Sequence, residues 1–305
     1  IIEIRGVFKM AKVISILMNK GGVSKTETSL NLAYGLSVKG KKVLLIDMDP
    51  SSNATSVILG LDNNLSEQGA SQYKELFDKY ISEGQPRILA CYEAMHEYLK
   101  QTPYKYDIHD VLEDQKLDIH EAIQKTRFEN LDLIPSSVAL STTDIKLKGS
   151  INPYNRLRRA IQKVEDEYDF ILIDNQPFEN SLSFNSITAC YKEGDLIIAP
   201  TKISLGGIQG IDSTLHTILQ WMQEVESLRY DFKLLITMKN RNGVDNKWTD
   251  VLHETFGEYM FDTVIRYQGK PVADASMNRK ILLETPKFGV AEDYQNFVDE
   301  VFSLS

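Results

Sequence analysis

The sequence predicts a doubly wound α/β fold, a mostly parallel sheet with helices on both faces. Three observations carry this. Six short apolar runs recur along the 305-residue chain: "KVISILM" (12–18), "KVLLIDMD" (42–49), "LDLIP" (131–135), "FILID" (170–174), "DLIIAP" (195–200) and "KLLITM" (233–238). Near-continuous Val, Ile and Leu runs of this length suit strands buried on both faces. Helical stretches separate most of them, and strand–helix alternation is the pattern of the doubly wound class. Finally, a glycine-containing turn that ends in Lys-Thr joins the first run to the first helix, which is the setting of a phosphate loop.

In chain order, residues 1–10 are an N-terminal arm or extension, and residues 11–305 form one domain. The first helix starts near Lys25 and stops at Gly40, because glycine accepts the left-handed conformation past a helix end. Residues 61–130 are polar, acidic and helical in pattern, with Pro86 and Pro103 as breaks. They read as a helical insertion beside the sheet. The remaining runs, from 131 onward, return to strand–helix alternation.

Composition narrows the function classes. Hydrophobic residues make up 42% and charged residues 25%, so an ordinary core is expected. No apolar run approaches the roughly 20 residues of a membrane span, and no secretory signal is visible. Cys91 and Cys190 are too far apart for a C-x-x-C site, so neither a metal cluster nor a disulfide framework is expected. A reducing cytoplasm is the simple reading. The net charge of −9 argues against global attraction to nucleic acid, but the basic charge is local. Residues 145–164 carry six basic residues and no acid, and residues 229–280 carry nine basic residues against seven acids. The last eighteen residues hold four acids and no base.

The stretch "MNKGGVSKTETSLNLA" (18–33) departs from the common G-x-x-x-x-G-K-[ST] loop. Asn19 and Ser24 stand where that pattern has glycine, and a second lysine, Lys20, is present. The chemistry is otherwise in place. N–H groups at a helix start point at an anion, and the helix dipole adds to the attraction. Gly21 and Gly22 let the backbone approach a ligand. Lys25 can reach the β- and γ-phosphates, and the Thr26 hydroxyl is placed for Mg²⁺.

Carboxylates end two of the other strands. Asp47 and Asp49 close "VLLIDMDPSSNAT", and strand alternation puts both on one side of the chain. Asp174 closes "YDFILIDNQP", where a Walker B acid belongs. Any one of these could be a cap or turn residue. Three after apolar strands, beside a Lys-Thr loop, point to a nucleotide site.

Together, "KGGVSKT", "VLLIDMDP", "FILIDNQP" and "DLIIAPTKISLGGIQGI" resemble the deviant Walker A ATPases, in the ParA branch that segregates plasmids and chromosomes. The resemblance runs from about residue 11 to 290 and is weakest over 61–130. It implies that Lys20 crosses a dimer interface to the phosphates of the other subunit. It implies that Gly21, Gly22, Val23, Ser24, Lys25, Thr26 and Glu27 form the nucleotide loop for ATP and Mg²⁺, with Thr26, Asp47 and Asp174 at the metal. Asp49 would orient the attacking water, and Arg241 would approach adenine. It further implies an ATP-dependent homodimer, non-specific binding to double-stranded DNA and a ParB-like centromere-binding partner. The setting would be the cytoplasm, on the nucleoid and not on a membrane. The short run before the first strand fits the form without an N-terminal helix-turn-helix.

Departures from the family pattern bear on turnover. Ser24 replaces glycine, Glu27 replaces Thr or Ser, and Gln176 replaces the first proline of D-x-P-P. Candidates for DNA phosphates are Arg241, Lys247, Arg266, Lys270, Arg279 and Lys280, with Arg156, Arg158 and Arg159 as a second set. Neither set is interleaved with aromatics, so single-strand stacking is not expected. Among rivals, a MinD-like membrane ATPase needs a basic amphipathic C-terminal helix, and this end is acidic. A nitrogenase-iron-protein relative would need cluster cysteines, which the two present do not supply. A biosynthetic ligase of the related P-loop class lacks support from the D-M-D-P stretch. The alternative from another class is a nucleotide switch that binds ATP without hydrolysing it.

Overall fold

Side chains alternate across a strand, and in the central strands both alternate sets are apolar. The computed structural model describes residues 10–60, 67–99, 102–177, 179–225, 228–284 and 289–304. Its strands are β1 (Lys12–Ile16), β2 (Val43–Met48), β3 (Gln124–Lys125), β4 (Leu131–Ile134), β5 (Phe170–Asn175), β6 (Asp195–Thr201) and β7 (Tyr230–Ile236). They form one sheet in the order β3-β4-β2-β5-β1-β6-β7. Every pairing is parallel except β3 with β4. Six strands coincide with the six apolar runs, β7 starting at Tyr230 rather than at Lys233. β3 is a two-residue antiparallel edge. It is too short to leave a period-2 signal in the sequence.

The helices are α1 (Lys25–Val38), α2 (Asn53–Ile58), α3 (Glu67–Ser82), α4 (Arg87–Leu99), α5 (Ile108–Glu113), α6 (Leu140–Lys148), α7 (Arg156–Ile161), α8 (Ser181–Ala189), α9 (Leu205–Glu224), α10 (Gly243–Phe256), α11 (Gly269–Met277) and α12 (Val290–Ser303). α1 ends where expected, with Gly40 at φ 77° just beyond it. Pro86 separates α3 from α4 and Pro103 follows α4, so both prolines sit outside helix interiors. α3 and α4 pack on each other, with Ala90, Ala94 and Tyr98 buried. Of the N-terminal arm expected over residues 1–10, residues 1–9 lie outside the described residues, as do 61–66, 100 and 101 within the expected insertion.

Strand alternation builds two of the three buried apolar clusters among the described residues. Val43 and Leu45 of β2, with Phe170 and Leu172 of β5, face Leu32, Ala33 and Leu36 of α1 and Phe297, Val298 and Val301 of α12. Leu44, Ile46, Ile171 and Ile173 face the opposite layer, with Leu112 of α5, Leu157 and Ile161 of α7 and Leu182 of α8. α1 therefore lies between the sheet and α12. A Cβ on its Gly35 would come within 2.5 Å of Val298 Cγ2, so only glycine permits this approach. The acidic C-terminal helix buries its apolar side here: Tyr294, Phe297, Val298 and Val301 are all at most 1% exposed. No helix among the described residues is long and apolar enough to cross a membrane.

Candidate functional site

Register places the site. In the parallel sheet Asp47 of β2 is the direct partner of Asp174 of β5, and Ile16 of β1 is the partner of Asp174 on the other side. The carboxyl ends of β2, β5 and β1 thus bring two aspartates beside the loop that leaves β1. Ligands of open α/β sheets bind at such strand ends. Asp47 shares strand parity with Leu45, and Asp174 with Leu172, so both point to the layer that contains α1.

The loop is seated at both ends. Asn19 N–H donates to Thr214 Oγ1 (3.1 Å), and its side-chain amide donates to Ser213 Oγ and Thr217 Oγ1 (both 3.3 Å), all on α9. This accounts for a side chain where the common loop has glycine. Val23 is buried against Met18, Ile211, Leu234 and Ile236, and its carbonyl accepts from Thr237 Oγ1 (3.1 Å). Gly22 has φ 69° and Ser24 has φ 66°. The position where the family pattern has glycine is therefore left-handed, and Ser24 adopts that conformation against its preference. It does so as the N-cap of α1, without a side-chain capping bond.

Charge is concentrated around this loop. Lys25 is buried, and its ammonium donates to the carbonyl of Lys20 at 2.9 Å. Burial lowers its pKa to about 8, opposed by Asp174 and Asp49. Asp174 is fully buried, and its Oδ1 accepts from Ser29 Oγ of α1 (2.8 Å). Its Oδ2 is buried and has no hydrogen-bond partner among the described residues. Burial pushes the Asp174 carboxyl above the usual carboxylate range, with the Ser29 and Thr26 hydroxyls opposing the shift. Asp47 is also raised, by burial first and then by Asp174. Both Asp47 oxygens are occupied. Oδ2 accepts from Thr55 N–H (2.9 Å) and Thr55 Oγ1 (2.7 Å), and Oδ1 accepts from Asp49 N–H (3.1 Å). Asp47 therefore ties the 49–55 segment to the sheet end. Asp49 itself is only partly buried, and its Oδ1 accepts from Ser51 N–H (2.8 Å).

A cavity of about 360 Å³ opens beside the loop, lined by Ser24 and Glu27 on one side and by Met238, Ile265, Tyr267, Val272, Val290 and Tyr294 among others. It is mostly apolar and lies within the size range of small-molecule sites. Glu27 carries a carboxyl whose pKa burial raises to about 7. Arg241 is exposed and is not among the lining residues.

The basic candidates divide. Arg241, Lys247, Lys270, Lys280 and Arg159 are exposed. Arg266 is held by Asp293, with Nε to Oδ2 at 2.7 Å and Nη2 to Oδ1 at 2.5 Å. Arg156 donates to the carbonyls of Leu112 (3.0 Å) and Glu113 (3.2 Å). Arg158 stacks on the Tyr191 ring, 4.0 Å from its centroid, and Arg279 is half-buried with φ 53°. Arg156 and Arg266 are thus engaged within the chain, by backbone carbonyls and by a carboxylate that accept charge-assisted hydrogen bonds. Ser29, Thr55 and Thr214 contact the site without having been singled out in the sequence. Ser29 lies one helical turn past Lys25 and could have been found that way. Thr214 leaves no sequence signal, because its partner Asn19 is distant in the chain, whereas Thr55 lies eight residues from Asp47 and only the fold turns it back onto that carboxylate.

Known proteins resemble this chain in sequence and in fold. A family profile described as an AAA domain matches residues 11–230. The chain is 29% identical over 293 residues to sporulation initiation inhibitor protein Soj of Bacillus subtilis, covering 96% of this chain and 98% of that protein. It is 25% identical over 295 residues to chromosome partitioning protein ParA of Caulobacter vibrioides, covering 96% and 94%. Its fold matches a Cyanothece McdA–ATP complex with a TM-score of 0.73 at 18% identity, covering 97% and 98% of the two chains. With a phosphate loop at the end of β1, paired acids at the ends of β2 and β5 and full-length similarity to Soj and ParA, the chain belongs to the AAA-domain family as a P-loop ATPase of the ParA type.

Proposed function

We propose that this chain is a Mg²⁺-dependent ATPase that pairs with a second copy when ATP is bound. The pair binds duplex DNA without reading sequence, and hydrolysis stimulated by a ParB-like centromere-binding protein releases it. Repeated binding and release along the nucleoid, in the cytoplasm, would partition a plasmid or chromosome. The observation that carries this reading is the buried, unpartnered Oδ2 of Asp174 beside the Lys25 loop. An orphaned carboxylate oxygen at that point suits a cation brought with the nucleotide.

The donor set fits Mg²⁺. No group of three or more His, Cys, Asp or Glu side chains among the described residues is arranged to hold a metal alone. Mg²⁺ takes one or two protein oxygens and completes its octahedron with phosphates and water. Thr26 and Asp174 would hold it, with Asp47 fixing the segment around it. The ion would neutralise charge on the β- and γ-phosphates. Gly21, Gly22, Val23, Ser24 and Lys25 would cradle the phosphates. Asp49, tied back to Asp47, would orient the attacking water, and Lys20 would reach the partner's phosphates. A cation supplied in trans couples phosphoryl transfer to pairing.

For DNA, Arg241, Lys247, Lys270 and Lys280 are the exposed candidates, with Arg159 apart from them. The segments around 239 and 266 are hydrogen-bonded side by side, Lys239 N to Ile265 O at 3.0 Å and Tyr267 N to Lys239 O at 2.9 Å. Arg241 and Lys270 therefore follow adjacent stretches of backbone. The apolar face of α12 is buried on α1, so this helix does not present that face to a lipid surface. The second reading is a switch that binds ATP without turnover. It is favoured by the left-handed Ser24 and by Gln176.

Gel shifts with ATP, ADP and no nucleotide, at two salt concentrations, test the proposal. ATP-dependent binding that weakens steeply with salt supports it. Binding that ignores the nucleotide, or no binding at all, rejects it. Absence of turnover in the native protein with DNA and partner would favour the switch.

A further inference from the structure

One face of α9 carries the first half of the phosphate loop. Asn19 is bonded to Ser213, Thr214 and Thr217. One and two turns toward the start of the same helix, glycines replace side chains. A Cβ on Gly210 would stand 3.0 Å from Lys20 Cβ and 3.1 Å from Met18 Sδ. A Cβ on Gly206 would stand 3.1 Å from both Cε and Nζ of Lys20. Residues 206, 210, 213, 214 and 217 recur at helical spacing, so they share this face. Gly207, between them, is glycine for another reason: its Cβ would meet the carbonyl of Lys202 at 2.0 Å.

Lys20 is an exposed residue, and a free lysine chain samples many rotamers. Here its root rests at Gly210 and its amine end at Gly206. We infer that Gly206 and Gly210 are positioning residues for Lys20: they leave a trough along α9 that holds the lysine chain extended and sets where its amine is presented. The inference rests on the proposed role of Lys20 at the phosphates. Presetting the amine lowers the ordering cost when charge develops in the transition state, and misplacement by about 1 Å can cost up to 100-fold in rate.

Gly206→Ala tests this without threatening the fold. Its added methyl meets only the end of a flexible side chain, and alanine favours helix over glycine. All the Gly206 contacts are to Lys20 atoms beyond Cγ, so they vanish in Lys20→Ala. ATP hydrolysis is measured for Gly206→Ala in the native and the Lys20→Ala backgrounds. In parallel, the Lys20 Cε resonance is followed in protein labelled with ¹³Cε-lysine, assigned by its loss in Lys20→Ala. The expected result is a shifted resonance and a kcat about tenfold lower with KM within about twofold, the pattern of a transition-state effect. In the Lys20→Ala background the same change should alter the rate by less than about twofold. An unmoved resonance, an undiminished kcat or equal losses in both backgrounds overturns the inference. If Lys20→Ala itself hydrolyses ATP normally, the role of Lys20 falls and the positioning role with it. A moved resonance would then separate that failure from absence of the trough. Gly210→Ala, which meets the root of Lys20, should shift the same resonance.

Discussion

The Lys25 ammonium donates to the carbonyl oxygen of Lys20, 2.9 Å away, across the loop that would surround a phosphate. A buried ammonium needs a hydrogen-bond acceptor, and the Lys20 carbonyl supplies one. On the proposed reading, ATP would replace that carbonyl with phosphate oxygens. Lys25→Ala removes the charged donor from the phosphates. A charged hydrogen bond contributes about 1.5–3 kcal/mol, so ATP affinity should fall roughly 10- to 150-fold. Titration with a fluorescent ATP analogue measures this, and an affinity within threefold of native would place the phosphates elsewhere.

Asp49 should separate binding from turnover. It is partly buried, its N–H is fixed by Asp47, and Lys25 is close enough to feel its charge. A group that orients or deprotonates the attacking water contributes about 10²–10⁴-fold. Asp49→Ala should lose turnover on that scale while ATP binding changes little. A variant that turns over normally would reassign the water to another residue.

Ser24 holds φ 66° at the start of α1. A non-glycine residue there costs on the order of 1 kcal/mol, partly offset by the extra freedom glycine gives the unfolded chain. Ser24→Gly should therefore stabilise the nucleotide-free protein by about 0.5–1 kcal/mol, or about 1–3 °C in Tm. Calorimetry without ligand is the measurement, and a lower Tm would mean that the Ser24 hydroxyl matters more than its backbone.

Burial raises the pKa of Glu27 to about 7 and that of Asp195 to about 6, and raises Asp47 and Asp174 as well. The folded chain therefore holds more protons than the unfolded chain between the ordinary carboxylate pKa and these values. Stability falls as pH rises through that window. Lys25, with its pKa lowered to about 8, is protonated in both states below pH 7 and adds its opposite slope only above about 8. Glu27→Gln removes one contributor. Its stability relative to native should grow as pH rises from about 5 to 7.5, at no more than about 1.4 kcal/mol per pH unit. Urea midpoints at several pH values test this, and a flat difference would show that Glu27 is ionised at low pH in the folded chain.

Gly35 admits no side chain beneath α12, since a Cβ would sit 2.5 Å from Val298 Cγ2. Gly35→Ala should destabilise by about 1–3 kcal/mol through overpacking. A neutral result in urea unfolding would mean that α12 can lift from α1 at little cost.

Apolar runs and punctuation determined much of this protein before any coordinate. The six main strands, the helix from Lys25 to the turn at Gly40, and the loop with its Lys-Thr ending follow from local pattern, because burial on both faces and helix starts leave local signatures. The edge strand Gln124–Lys125 was not legible, because two residues show no period. Tertiary structure alone decided which charges are free. Arg266 and Arg156 look like solvated bases in the sequence, yet Asp293 and the carbonyls of Leu112 and Glu113 hold them. It also decided that Asp47 and Asp174 are register partners, that Thr55 fills Asp47's oxygens, and that Gly206 and Gly210 lie under Lys20. Apart from Thr55 with Asp47, eight residues away, these are contacts between residues far apart in the chain. Their energies depend on distance and burial in the folded molecule, which a one-dimensional pattern does not encode.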